Sequence, residues 1–453
     1  MADNRPGLPE NWATMTPAEK RDFRLNRLLD TSRINFISPE AEKMYRVRAQ
    51  RMIDVYNVKE PDQVPVNLPI GDLPLRMAGL NMHTSMYEPE KAIEACKKFN
   101  EKYMDELEIF AGTMGMSGKA LEMMDYKLYY WPGRGLPENA PGWQFVEGEY
   151  MSADEYDHLT LDPTDFWIRK YLPRVFGTFE PMSMFQPFTN ITENVHVNQF
   201  AVLGTPQMQD MLQNLLKVGQ AFQNHMKASM AYFPMRAASG FPIMASSFAK
   251  APFDVIGDSL RGTTSIMKDM YRYPDKLLKA LDVVADFTIS NILNSPNAAN
   301  LMAVTYPLHK GADGWMSQKQ FDTFYWPSLK KVMDAFINEG LIQSMFAEGS
   351  FNTRLEYITD FPKGTVHWYF DDSDMKKCKE VLGKNFSIQG NVPASMVITG
   401  NPVDVKEYCR KLIETCAPGG GYILSAGSMP ENPKLENIRA MYEAAKEYGV
   451  YRK

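Results

Sequence analysis

The chain lacks most of the features that announce specialised chemistry. Its 453 residues include four cysteines, Cys96, Cys378, Cys409 and Cys416, and no two form a CxxC pair. A zinc finger and a disulfide framework are therefore excluded, and the four read as reduced residues inside helix-like segments. No run of about 18 apolar residues occurs, so no transmembrane helix is expected. The start, MADNRPGLPENW, lacks the charged opening and apolar run of a signal peptide, and the cytoplasm is the expected location. No basic stripe interrupts a chain of net charge −6, which argues against nucleic acid as a partner. The phosphate-cradling patterns GxGxxG and GxxxxGK(S/T) are missing, as are a Gly-x-Ser-x-Gly elbow, a Cys/His nucleophile pair and any internal repeat.

What is present is an ordinary globular balance, 44% hydrophobic and 23% charged, in a chain long enough to bury a core without staples. Methionine is abundant, at 31 residues. Met is adaptable apolar filler, so this reads as a soft core or, alternatively, as the lining of a promiscuous apolar pocket.

The capping signals and 3.6-residue spacing predict helices over 16–30, 38–57 and 88–106, with a Pro-rich connector at 61–74. Residues 126–179 are rich in Tyr, Trp, Pro and Gly without periodicity and read as a long excursion over the surface or a pocket. Residues 205–233 read as one long inserted helix. From residue 240, short β-rich runs at 243–248, 301–306, 342–347, 365–371, 386–390 and 421–426 alternate with helices at 274–294, 317–339, 373–382, 402–416 and 433–448. Such alternation predicts parallel strands with right-handed crossovers. Runs at 107–111 and 181–186 bring the strand count to about eight, which predicts an α/β protein of the (β/α)₈ TIM-barrel class. A doubly wound open sheet is the alternative. The expected division is a helical extension over 1–75, packed on a single barrel over 76–453 with insertions at about 126–179 and 205–233.

Period-2 alternation assigns side chains to faces. His367, Tyr369 and Asp371 share one face of their strand, opposite Val366, Trp368 and Phe370. Ser344, Phe346 and Glu348 share a face, as do Ser387, Gln389 and Asn391. Three successive strands thus aim polar groups into one lumen, whose carboxyl-end rim is where sites of this fold sit. Glu348, His367 and Asp371 form an O/N/O set that predicts either a catalytic Zn²⁺ site or a metal-free general acid/base pair. The plainer readings are a solvated turn for Glu348, a satisfied core histidine for His367 and helix capping for Asp371. Further rim candidates for substrate binding are Asp254 in APFD, Asp258 beyond it, and His309 and Asp313 in PLHKGADG. Tyr369, Gln389 and Asn391 complete the expected substrate-binding set. His83, His158, His196 and His225 show no partner in the sequence, and GGG at 419–421 reads as a tight turn.

Several segments resemble the uroporphyrinogen decarboxylase superfamily. APFD (251–254) followed by MYRYPDKLLKALD (270–282) resembles its APFT and "M…P…LL" segment. WMSQKQFDTFYWPSLKKVMDAF (315–336) resembles its "S-x-x-x-F-x-x-F-x-x-P-x-x-K" helix, FSIQGNVP (386–393) its "QGN-x-D-P" turn, and GGGYILSAG with PENPKLENIRAMYEAAKEYG (419–449) its C-terminal signature. The family fold is a (β/α)₈ barrel. True uroporphyrinogen decarboxylases carry an Arg-rich RQAGRY segment and a GNLDP turn; here the first is missing and the second reads Gly390-Asn391-Val392-Pro393. The Tyr that follows their APFT segment is replaced by Asp258. The resemblance is closer to the corrinoid-dependent methyltransferase branch. The His-x-Cys of its zinc members reads Phe346-Ala347-Glu348 here, and the later Cys position falls near Ser428, so no thiolate remains.

The resemblance therefore implies a demethylating methyltransferase. It would move a methyl group from a small O- or N-methylated substrate to a corrinoid (cobalamin) on a partner protein, with Glu348, His367 and Asp371 holding Zn²⁺ or delivering a proton. A corrinoid-binding protein, the methylated substrate and a second copy of the chain are the expected partners, and nucleic acid and membrane are not. A porphyrin-type decarboxylase is the alternative and requires Arg76, Arg134, Arg174, Arg236 and Arg261 to converge on the pocket. A non-catalytic scaffold is the third reading, favoured if Glu348 and His367 face away from the lumen.

Overall fold

In the computed structural model, residues 7–112, 115–189, 197–230 and 232–451 are described. At its centre is an all-parallel, seven-stranded sheet in the order β1-β10-β9-β8-β7-β6-β5. Its members are β1 (Val66–Asn67), β5 (Ser246–Phe248), β6 (Ala303–Leu308), β7 (Ile342–Ala347), β8 (Val366–Phe370), β9 (Ser387–Gln389) and β10 (Tyr422–Ser425). β-branched and aromatic residues make up about half of these runs, the types that pack well on a pleated surface. Outward-facing Val304, Tyr306, Met345, Val366, Trp368, Phe370, Ile388 and Leu424 are buried in one continuous core. That core includes apolar residues of the crossover helices Pro274–Leu293, Trp326–Asn338, Met375–Leu382 and Pro402–Cys416 and of the last helix, Leu435–Tyr448.

Register stacks the other face into layers. Thr305, Ser344, His367 and Ser387 are aligned across β6–β9, and Pro307, Phe346, Tyr369 and Gln389 form the next row towards the carboxyl ends. The polar alternation expected on three adjacent strands is thus one shared face. The closed eight-stranded cylinder is not formed among the described residues: β1 and β5 are the sheet's edges. Residues 107–111 are not a strand. The helix Pro89–Leu107 runs through the start of that segment and ends at Glu108 in the left-handed region. The Asn100 side chain then takes both backbone groups of Ala111, at 2.8 and 2.9 Å, in place of a ladder. Residues 181–186 fall largely in the 3₁₀ helix Gly177–Met184. The sheet instead takes β1 from the Pro-rich connector, where two residues are too few to show a period.

The excursion after residue 126 holds a small sheet of β2 (Tyr129–Pro132), β3 (Gly135–Leu136) and β4 (Gln144–Phe145). Its distal part, 146–151, is tied to the segment after β5: Tyr150 N donates to Leu260 O at 2.7 Å, and Glu147 accepts from Thr263 N. The inserted helix appears as Pro206–Met230.

At the opposite end of the sheet the helix Pro17–Asn26, opened by a Thr16/Glu19 capping box, inserts Arg24 among backbone carbonyls. Arg24 donates to Glu339 O at 2.9 Å and to Leu301 O at 2.5 Å and stacks on buried Trp12. Arg24→Ala strands those buried carbonyls, and urea denaturation should show a loss of about 2–4 kcal/mol.

Candidate functional site at the carboxyl ends of β5, β6 and β7

Three neighbouring parallel strands end side by side, so the residues that follow them meet. After β5 come Lys250 and then Pro252–Asp254, a helical turn with proline at its first position that buries Asp254 completely. A π-helical segment, Val255–Leu260, follows and places Asp258 beside Lys250. β6 delivers His309 and Lys310, and β7 delivers Glu348.

Asp254 is the structural floor. Its carboxylate accepts from the backbone N–H of His309 at 3.0 Å, that of Lys310 at 2.9 Å and the Tyr325 hydroxyl at 2.8 Å. Asp258 is the electrostatic hub: His309 Nδ1 lies 2.6 Å away, and the ammoniums of Lys250 and Lys310 lie 2.5 Å away. With Nδ1 committed, His309 turns Nε2 towards Glu348 Oε2, 3.4 Å away. The His309 side chain is 34% exposed and that of Glu348 52%, so this edge of the ring faces solvent.

The charges follow from these contacts. Burial pushes the Asp258 carboxyl up, but His309, Lys250 and Lys310 outweigh it and hold the group well below the usual range. Burial raises Asp254, and repulsion from Asp258 adds to that. Burial opposes charge on His309, yet the bond to Asp258 and the field of Asp254 raise its pKa above the ordinary value. The arrangement is an oriented imidazole, held at Nδ1 by Asp258 with Nε2 beside Glu348 at an opening; such a ring can serve as a general acid when protonated and as a base when not.

The structure thus brings together Asp254, Asp258, His309 and Glu348. It does not bring Glu348, His367 and Asp371 together. His367 is 3% exposed and lies in the inner layer, with Nδ1 2.9 Å from Ser387 Oγ and Nε2 3.0 Å from Gln389 Oε1. Asp371 lies four residues further along, about 13 Å of strand, and accepts from Gly349 N at 3.2 Å. This set does not fit zinc: both imidazole nitrogens are engaged and the heads do not converge. Among the described residues no group of three or more His, Cys, Asp or Glu side chains is arranged to hold a metal ion. In the rim cluster, two lysines already occupy the Asp258 oxygens.

Tyr369 packs its ring on Phe346, with centroids 4.6 Å apart, and donates to Ala426 O at 2.9 Å. Asn391 donates to the carbonyls of Asp371 and Ser373, which ties two loops together. Asp313 accepts from Ser350 and Thr353, and Asp374 caps its helix. His83 stacks on Tyr87, His158 meets Asp165, and His225 meets Gly115 O; His196 lies outside the described residues. Sequence reasoning missed Lys250, Lys310 and Tyr325. Lys250 immediately precedes APFD and Lys310 adjoins His309, so adjacency to residues already singled out was the available signal.

Burial lowers the His367 pKa to about 4, against an ordinary 6.5. A depressed histidine contributes stability above its unfolded pKa and loses it as pH falls. The unfolding free energy from urea titrations should therefore drop between pH 6.5 and about 4, by about 3 kcal/mol, and His367→Gln should flatten that slope.

Fold and rim together define a parallel α/β protein whose polar site lies at the carboxyl ends of adjacent strands. Its family is set by a family model for uroporphyrinogen decarboxylase (URO-D), which matches residues 220–448 and so contains the whole rim cluster. The chain belongs to the uroporphyrinogen decarboxylase family. It is 23% identical over 344 residues to the uroporphyrinogen decarboxylase of Actinobacillus succinogenes, covering 70% of this chain and 90% of that one. It is 25% identical over 259 residues to that of Aliivibrio salmonicida, covering 54% and 68%. A solved structure of a methyltransferase from Methanosarcina mazei superposes with a TM-score of 0.53 at 15% identity, over 89% of this chain and 98% of that one, and so shares the fold.

Proposed function

We propose that this chain is a methyltransferase that removes a methyl group from a small O- or N-methylated substrate and passes it to a corrinoid held by a partner protein. The carrying observation is the His309 ring, locked at Nδ1 by Asp258 and presenting Nε2 at the rim. The reduced corrinoid, when docked, supplies the nucleophile for the methyl carbon. As the carbon–heteroatom bond breaks, its electron pair stays on the heteroatom, which His309 Nε2–H protonates. Asp258 stabilises the imidazolium before that transfer and keeps the remaining proton on Nδ1 afterwards. Glu348, half in solvent, relays the replacement proton. Phe346 and Tyr369, on the inner face below the rim, offer apolar walls for the body of the substrate.

The arginines separate this reading from a decarboxylase that grips several carboxylates. Arg76 pairs with Asp72, Arg134 with Asp125, Arg174 with Glu155 and Arg261 with Asp269. These four guanidiniums are already matched by carboxylates of the chain itself, and Arg236 lies exposed on the helix Tyr232–Ala238. The test is to mix the purified protein with a reduced corrinoid protein and a panel of methyl ethers and methylamines, following corrinoid absorbance. Methylation that depends on His309 is the expected result. Turnover of uroporphyrinogen with no methyl transfer overturns the proposal.

A further inference from the structure

The inserted helix Pro206–Met230 has two apolar faces where a surface helix needs one. The inner face, with Met208, Met211, Val218 and His225 buried, packs on Gly118–Met124, Gly177–Met184 and Pro89–Leu107. The outer face carries a second stripe, Leu212, Leu216, Gly219, Gln223, Met226 and Met230, at the alternating four-and-three spacing of a coiled-coil seam. Its large residues stand in solvent: Leu212 is 42% exposed, Leu216 77%, Met226 55% and Met230 57%.

We propose that this stripe pairs with the same stripe of a second copy, antiparallel, about a two-fold axis at Ala221. The order of the residues favours that occupant. Turning the helix end for end sets Leu212 against Met230, Leu216 against Met226 and small Gly219 against Gln223, so the face is complementary to itself. Charge favours it as well. Asp210, Lys217 and Lys227 are the helix's only charged side chains, none lies in the seam, and the flanking positions are mostly glutamine and other uncharged residues. Phe200, Leu203, Phe233 and Met235 are also exposed in the segments that flank the helix.

The test is sedimentation velocity of the full chain over the micromolar range. A dimer is expected. Leu216→Glu should raise the monomer–dimer midpoint at least tenfold with far-UV circular dichroism unchanged. The double variant L216E/M226K should recover the dimer, because antiparallel pairing sets each new glutamate against a new lysine; parallel pairing would not. Oxidising a mixture of L212C and M230C chains should join them to each other, since the four native thiols are buried. A monomer at all concentrations, a dimer indifferent to L216E, or a monomer that uses this face only to bind a corrinoid protein would overturn the proposal.

Discussion

Replacing His309 with glutamine is expected to slow methyl transfer by a factor of roughly a hundred to ten thousand, the usual contribution of a positioned general acid. Glutamine keeps the bulk and a hydrogen bond to Asp258 but has no proton to give. The pH profile is the sharper readout. Asp258 raises the His309 pKa, so the acid form is present below that raised value and disappears as pH climbs through it. The wild-type rate should therefore fall on the alkaline side, and H309Q should lack that limb. Asp258→Asn should move the limb to lower pH, because it removes the charge that stabilises the imidazolium. A wild-type alkaline limb unchanged in H309Q would remove His309 from the chemistry. Substrates with acidic leaving groups need less protonation and should lose least in H309Q.

The second large effect is structural. Asp254→Ala should cost roughly 3–5 kcal/mol, because two buried N–H groups and the Tyr325 hydroxyl lose their acceptor together. Urea denaturation measures it directly. Tyr325→Phe removes one donor and leaves both backbone bonds, so a loss of about 1 kcal/mol is expected. At a temperature where D254A is still folded, its rate should also fall, since Asp254 fixes the backbone that carries His309. Asp254→Asn keeps a carbonyl acceptor and should recover much of the stability.

These residues were legible in the sequence to different degrees. Asp254, Asp258 and His309 each follow a strand run near its carboxyl end, which marks them one by one as rim residues. Nothing in the sequence places Asp258 beside His309, which lies 51 positions away. The Glu348–His367–Asp371 set failed for a related reason. Alternation reports the face a side chain takes but not its height along the strand. His367 and Asp371 do follow one face, yet one lies deep among Ser387 and Gln389 and the other beyond the strand end.

By itself the sequence determined the local elements. β7 spans Ile342–Ala347 and the helix Pro402–Cys416 keeps both expected ends, because apolar periodicity, prolines and caps act within a few residues. It also determined the family, whose motifs are local strings. Tertiary structure alone decided which strand ends are neighbours, that β1 is a strand and that 107–111 is not. Those outcomes depend on partners far away in the chain: a two-residue strand exists only by pairing with β10, and the backbone of Ala111 is taken by a side chain of the preceding helix. The Asp254–Asp258–His309–Glu348 cluster belongs to the same class, since it arises only where parallel neighbours bring three distant loops to one rim.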